Sequence, residues 1–133
     1  MDVLTIISYI LWGGLIAFAL VMLFRRLATP SYLTPLTQEE FIKGYRKAQL
    51  IDVREQREYE GGHILGARNI PLSQLKHRLS EVRKDQDVYL YDNSGMRSRQ
   101  AARLLKKKNG NKGLHYLKKG FKKWTGKIKK KKK

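Results

Sequence analysis

Val88-Tyr89-Leu90-Tyr91-Asp92-Asn93-Ser94-Gly95-Met96-Arg97-Ser98 carries a short apolar run through a polar loop into a helix, and its reading decides the fold. Val88–Tyr91 is a buried strand by composition. Residues 96–108 carry Ala101, Ala102, Leu104 and Leu105 at helical spacing and stop at Asn109 and Gly110, which predicts a helix. The loop between them has the physics of an anion cradle. Its successive N–H groups point inward, Gly95 permits tight curvature, and the helix N-terminus adds positive potential. The guanidinium of Arg97 is placed to close the ring.

Strands and helices alternate outward from this stretch. Thr37 followed by Glu40 has capping-box spacing, and Phe41, Ile42 and Tyr45 continue at helical intervals. A strand is predicted over residues 49–53, with Leu50 and Ile51 apolar enough to be buried, followed by a short helix over 55–59 closed by Gly61 and Gly62. An apolar piece at 67–70 stops at Pro71. Leu72, Leu75, Leu79 and Val82 then repeat as one helical face. A last strand over 114–117 precedes Gly120 and a turn of helix to Trp124, which is expected in the core. This alternation predicts an α/β fold, a parallel sheet with helices on both faces and right-handed crossovers. Ligands of such sheets sit at the carboxyl ends of the strands, so the loop of residues 92–98 is the candidate site.

Three blocks of the sequence together resemble the rhodanese-like domain family. The first runs Leu50-Ile51-Asp52-Val53-Arg54, then Glu60, then Gly62-His63-Ile64-Leu65-Gly66-Ala67-Arg68-Asn69-Ile70-Pro71. The second is the loop, and the third is Tyr116-Leu117-Lys118-Lys119-Gly120-Phe121-Lys122-Lys123-Trp124. The resemblance covers residues 37–124. It departs at Leu65, where the family has Pro, and at Lys119, where it has the first of two glycines.

The resemblance implies a persulfide chemistry that this chain lacks the atom to perform. Family members pass a sulfane sulfur through a cysteine that opens a six-residue loop, and the matching position here is Asp92. The chain contains no cysteine, which excludes disulfides, thiolate metal sites and a thiol nucleophile. A carboxylate is a poor sulfur nucleophile and puts negative charge where the cradle holds an anion. The anion-binding loop is Asn93, Ser94, Gly95, Met96, Arg97 and Ser98, and Asp92 is expected to accept the loop's own N–H groups internally, leaving a catalytically silent loop. Asp52, Arg54 and Glu60 are expected to form a local ion-pair set beneath the loop, and His63 to orient the turn after the short helix. No catalytic residue is assigned, and neither a metal nor a cofactor is implied. The alternative is an enzyme of altered chemistry with Asp92 as nucleophile or base towards a phosphoester; the fold's phosphatase relatives use a cysteine and a loop one residue longer. A third possibility is a domain that docks a separate thiol-bearing protein.

Around this domain the sequence describes an anchor and a tail. Residues 3–24 carry no charge and are long enough to span a hydrocarbon core of roughly 30 Å as a helix. Met1 and Asp2 give no basic start, so an uncleaved transmembrane helix over residues 1–26 is expected rather than a signal peptide. Arg25 and Arg26 follow it directly, which places the N-terminus outside and the soluble domain in the cytoplasm. Residues 27–36, with Pro30 and Pro35, are expected to be a stiff linker, 37–125 the domain, and 126–133 a disordered polylysine tail. Of the formal charge of +18, much falls after Lys106, where no acidic residue occurs. Beside a membrane such a tail favours the anionic inner leaflet, at about 1 kcal/mol per lysine. It lacks the interleaved aromatics that stack bases, so nucleic acid is not expected as a partner, and an unidentified protein partner is.

Overall fold

Leu50 and Ile51 are neighbours on one strand, point to opposite sides, and are both buried. That is the signature of a sheet covered on both faces. A computed structural model describes residues 1–130 of the chain. Its central sheet has five strands: β1 (Leu33–Leu36), β2 (Gln49–Asp52), β4 (Arg68–Asn69), β5 (Val88–Tyr91) and β6 (Leu114–Leu117), in the order β1-β6-β5-β2-β4. Every pairing in it is parallel. A separate antiparallel pair joins β3 (His63–Ile64) to β7 (Ile128–Lys129).

The core is divided by the sheet. On one side Ile51, Val88, Leu90 and Leu114 pack with Leu75 of α4 (Leu72–Leu75) and with Ala101 and Ala102 of α5 (Met96–Leu104). On the other, Leu50, Tyr91 and Leu117 pack with Phe41 of α2 (Gln38–Gly44). The capping box of α2 is formed: Thr37 Oγ1 accepts from the Glu40 N–H and Glu40 Oε1 from the Thr37 N–H. Trp124 is half-buried at the border of this second cluster, edge-on to Phe41 with ring centroids 6.1 Å apart. The helix α1 (Val3–Leu27) stands outside the core with none of its residues buried, and its mean hydropathy window of 2.3 suits a membrane span.

Three expectations about local structure need correction. The segment 27–36 is not all linker: Leu33 and Leu36 are buried, and β1 pairs with β6 along its whole length. Pro35 hid the strand, and it is tolerated because β1 lies at the sheet edge, where one row of backbone donors needs no partner. The face from Leu72 to Val82 is broken into α4 and a 3-10 turn over Leu79–Glu81, although Leu75 and Val82 stay buried. Residues 126–130 are not wholly a disordered tail, since β7 pairs with His63 and Ile64 and the Leu65 N–H donates to the Lys127 carbonyl. Residues 131–133, the end of the predicted polylysine tail, lie outside the described residues. The helix predicted to Lys108 does continue, but its last turn over Leu105–Asn109 widens to π geometry.

If residues 33–36 are a core strand rather than a tether, Leu33→Ala leaves a cavity under β1. Thermal or denaturant unfolding of the full chain in micelles should then show a loss of about 2–4 kcal/mol; an unchanged midpoint would return the segment to the linker.

Candidate functional site

The loop leaves β5 at its carboxyl end and closes around the side chain that opens it. Asp92 is buried. Its Oδ1 accepts from the Gly95 N–H at 2.8 Å and the Ser98 hydroxyl at 2.7 Å, with a longer approach of 3.4 Å from the Ser98 N–H. Its Oδ2 accepts from the Arg97 N–H at 3.2 Å. Gly95 takes φ +103°, and a Cβ there would press on the Tyr116 ring. The carboxylate thus sits at the N-terminus of α5, where charge and free N–H groups favour an anion.

The guanidinium of Arg97 does not close this ring. It turns outward to Glu58 of α3 (Gln56–Glu60), with Nη1 2.8 Å from Oε1. Glu58 Oε2 accepts from Asn93 Nδ2 at 2.8 Å, so one carboxylate holds both ends of the loop. The hydrogen bond from Arg97 keeps Glu58 below the usual carboxylate range, and the same bond raises Arg97. Glu58 was not legible as a site residue. The clue available was topological: the connections after adjacent parallel strands β2 and β5 converge at the carboxyl ends of the strands. Ser94 and Met96 form the exposed rim.

Beneath the loop, Arg54 is almost completely buried. Asp52 accepts from its Nε and Nη2, the latter at 2.7 Å, and Nη2 also donates to the Gly62 carbonyl at 2.7 Å. Nη1 reaches Asn93 Oδ1 at 3.3 Å. The guanidinium stacks 4.4 Å from the Phe121 ring centroid and 5.7 Å from that of Tyr91. Burial lowers an arginine, but the hydrogen bond and charge of Asp52 outweigh it and Arg54 is raised. Burial pushes the Tyr91 phenol upward, and its oxygen accepts from the Ile64 N–H.

Asp52 and Arg54 form the expected ion pair, while Glu60 lies at the end of α3, where Gln56 donates to it at 3.1 Å. His63 stacks on Tyr59 at 3.6 Å between ring centroids, and its Nδ1 contacts the Tyr59 carbonyl at 2.8 Å, a turn-orienting geometry. The third block braces the loop from behind: the Phe121 N–H donates to the Asp92 carbonyl at 2.8 Å. Gly120, at φ +74°, lies against the Asn93 carbonyl with no room for a Cβ. Lys119 and Leu65, where this chain departs from the family pattern, are both exposed.

Residues 37–127 match the model of the Rhodanese-like domain family. The chain is 58% identical over 116 residues to the protein YqhL of Bacillus subtilis (strain 168), covering 87% of this chain and 91% of that one. It is 40% identical over 78 residues to the putative sulfur carrier protein YrkF of the same strain, covering 59% of this chain and 42% of that protein. The solution structure of the rhodanese-like domain of the Anabaena sp Alr3790 protein superposes with a TM-score of 0.63 at 27% identity, over 72% of this chain and 78% of that one. The chain belongs to the rhodanese-like domain family, and it does so without a cysteine.

Two substitutions test the bracing of the loop. Gly120→Ala should destabilise the domain by more than about 1 kcal/mol, because it adds left-handed strain to a contact with the Asn93 carbonyl. Glu58→Gln should lower the unfolding midpoint at neutral pH by a modest amount, below about 1 kcal/mol for a partly exposed pair. Since Glu58 is lowered in the folded state, its stabilisation is full above the unfolded value of about 4.3 and is lost as pH falls through the lower folded value. Melting curves of the two proteins should therefore converge on acidification below pH about 4; a constant gap would assign the effect to something other than the ion pair.

Proposed function

We propose that this chain is a membrane-tethered rhodanese-homology domain that does not transfer sulfur and works by binding a partner protein at the inner leaflet. The observation that carries this reading is the buried carboxylate of Asp92. The donors that would steady a thiolate or a bound anion at the head of the loop are taken up by Oδ1 and Oδ2 of the chain's own side chain. A carboxylate so engaged is also poorly disposed to attack a phosphoester, which speaks against the altered-enzyme alternative. YrkF is described as a putative sulfur carrier, and a carrier of sulfane sulfur needs a thiol that is absent here. What the domain retains is the family's scaffold around a braced loop.

Tethering is supported by the apolar length of α1, and a cytoplasmic domain is favoured by Arg25 and Arg26 at its end under the positive-inside rule. Lys127, Lys129 and Lys130 add cationic reach towards anionic lipid.

Incubated with thiosulfate and cyanide, the full chain should yield no more thiocyanate than its Arg97→Ala variant; yield above that level would overturn the inactive reading. Asp92→Cys should gain sulfur transfer, because the Gly95, Arg97 and Ser98 N–H groups then face a thiolate. Failure of a folded Asp92→Cys protein to gain activity would mean that the loop has drifted beyond its first residue.

A further inference from the structure

Where α1 meets the domain, a cleft of about 280 Å³ opens between the end of the helix and the outer face of α5. Its cationic lining comes from two places distant in sequence: Arg25 and Arg26 from α1, Arg99 and Arg103 from α5. No acidic residue lines the cleft, and among the described residues no carboxylate pairs with any of these four arginines. Four arginines lining one hollow repel one another, and an arrangement of that kind is stabilised by an anion. The junction is held together: Arg99 Nη1 donates to the Leu27 carbonyl at 2.7 Å, one of the carbonyls left unpaired at the helix end. Thr29 and Tyr116 add a hydroxyl contact of 3.4 Å.

A second hollow adjoins the first and has the opposite character. It is lined by Leu20, Leu23, Phe24, Leu27 and Ala28, and is almost wholly apolar. Ala28 belongs to both, so an apolar groove along the last turns of α1 leads into the arginine cleft. The order of the two along the helix is that of a phospholipid: hydrocarbon beside the apolar turns, phosphate at the level of the first arginines.

We propose that this composite site binds one anionic phospholipid, its phosphate held by Arg25, Arg26, Arg99 and Arg103 and an acyl chain lying along Leu20, Leu23, Phe24 and Leu27. This rests on the reading of α1 as a membrane span. Arginine suits the role because its planar fork grips phosphate oxygens in pairs. The site differs from the lysine-rich C-terminus, which attracts a charged leaflet without selecting a molecule. It also touches the candidate loop, because Met96 lines the cleft and belongs to the loop. Lipid occupancy would thus fix the rim of the surface offered to a partner.

The test uses the full chain, extracted in mild detergent doped with equal amounts of phosphatidylglycerol and phosphatidylcholine and analysed by native mass spectrometry in volatile salt after a wash at about 1 M salt, where screening reaches about 3 Å. The expected result is one retained phosphatidylglycerol, at least tenfold over phosphatidylcholine. Arg103→Glu should reduce it at least tenfold with an unchanged melting temperature, since Arg103 is exposed; Arg103→Gln should give an intermediate loss. Replacing lysines 130–133 by serine should leave retention intact. Equal retention of both lipids, an unaffected Arg103→Glu protein, or displacement by excess inorganic phosphate, which would make the cleft a free-anion site, would each overturn the proposal. Carbonate extraction of the source membranes separates the two readings. A chain that stays with the membrane but carries no lipid sinks the lipid site alone, whereas a chain released by carbonate sinks the anchor and the lipid site together.

Discussion

One buried guanidinium ties together segments that are far apart in the sequence. Arg54 takes Asp52 as its ion-pair partner, the Gly62 carbonyl and Asn93 as further acceptors, and the ring of Phe121 as a stacking surface. These four contacts come from the end of β2, the turn before β3, the loop after β5 and the segment after β6. A charged group inside a domain is stable only if its partners are all in place, and removing one leaves a desolvated charge that costs about 3–5 kcal/mol. The loop therefore rests on a floor whose parts are mutually required. The three blocks that resemble the family are those that meet at this residue.

The same logic explains how an aspartate can open the loop without unravelling it. The N–H groups of a tight turn leading into a helix are costly to leave unpaired when buried. Here Asp92 supplies the acceptor from inside the fold, and Arg97, freed from any role at the centre, closes a clasp with Glu58 across the rim. The loop has become a structural joint, held at its head by one carboxylate and at its sides by another.

Much of this was legible in the amino-acid sequence. Val88–Tyr91 and the capping box at Thr37 and Glu40 stand where the pattern put them, because strand burial and helix capping are local effects. The expectation that Asp92 accepts the loop's own N–H groups came from its place at the family's cysteine position, and the Gly95, Arg97 and Ser98 N–H groups meet it there. What escaped was set by tertiary partners. Leu33-Thr34-Pro35-Leu36 has no alternation and contains a proline, and only its place beside β6 makes it a strand. Ile128 and Lys129 are a strand because His63 and Ile64 offer them an edge. Glu58 and the outward turn of Arg97 depend on how two loops approach each other, which no local pattern records.

The bond from Arg99 to the Leu27 carbonyl has a mechanical consequence. Gly95 caps α5 and belongs to the loop, and Arg99 lies one helical turn beyond it. The loop and the apolar helix are therefore the two ends of a lever one turn long. A domain on a slack tether would sample every azimuth about its anchor. This one has, besides the chain itself, a second link to its helix in the Arg99–Leu27 bond, placed one turn from the loop.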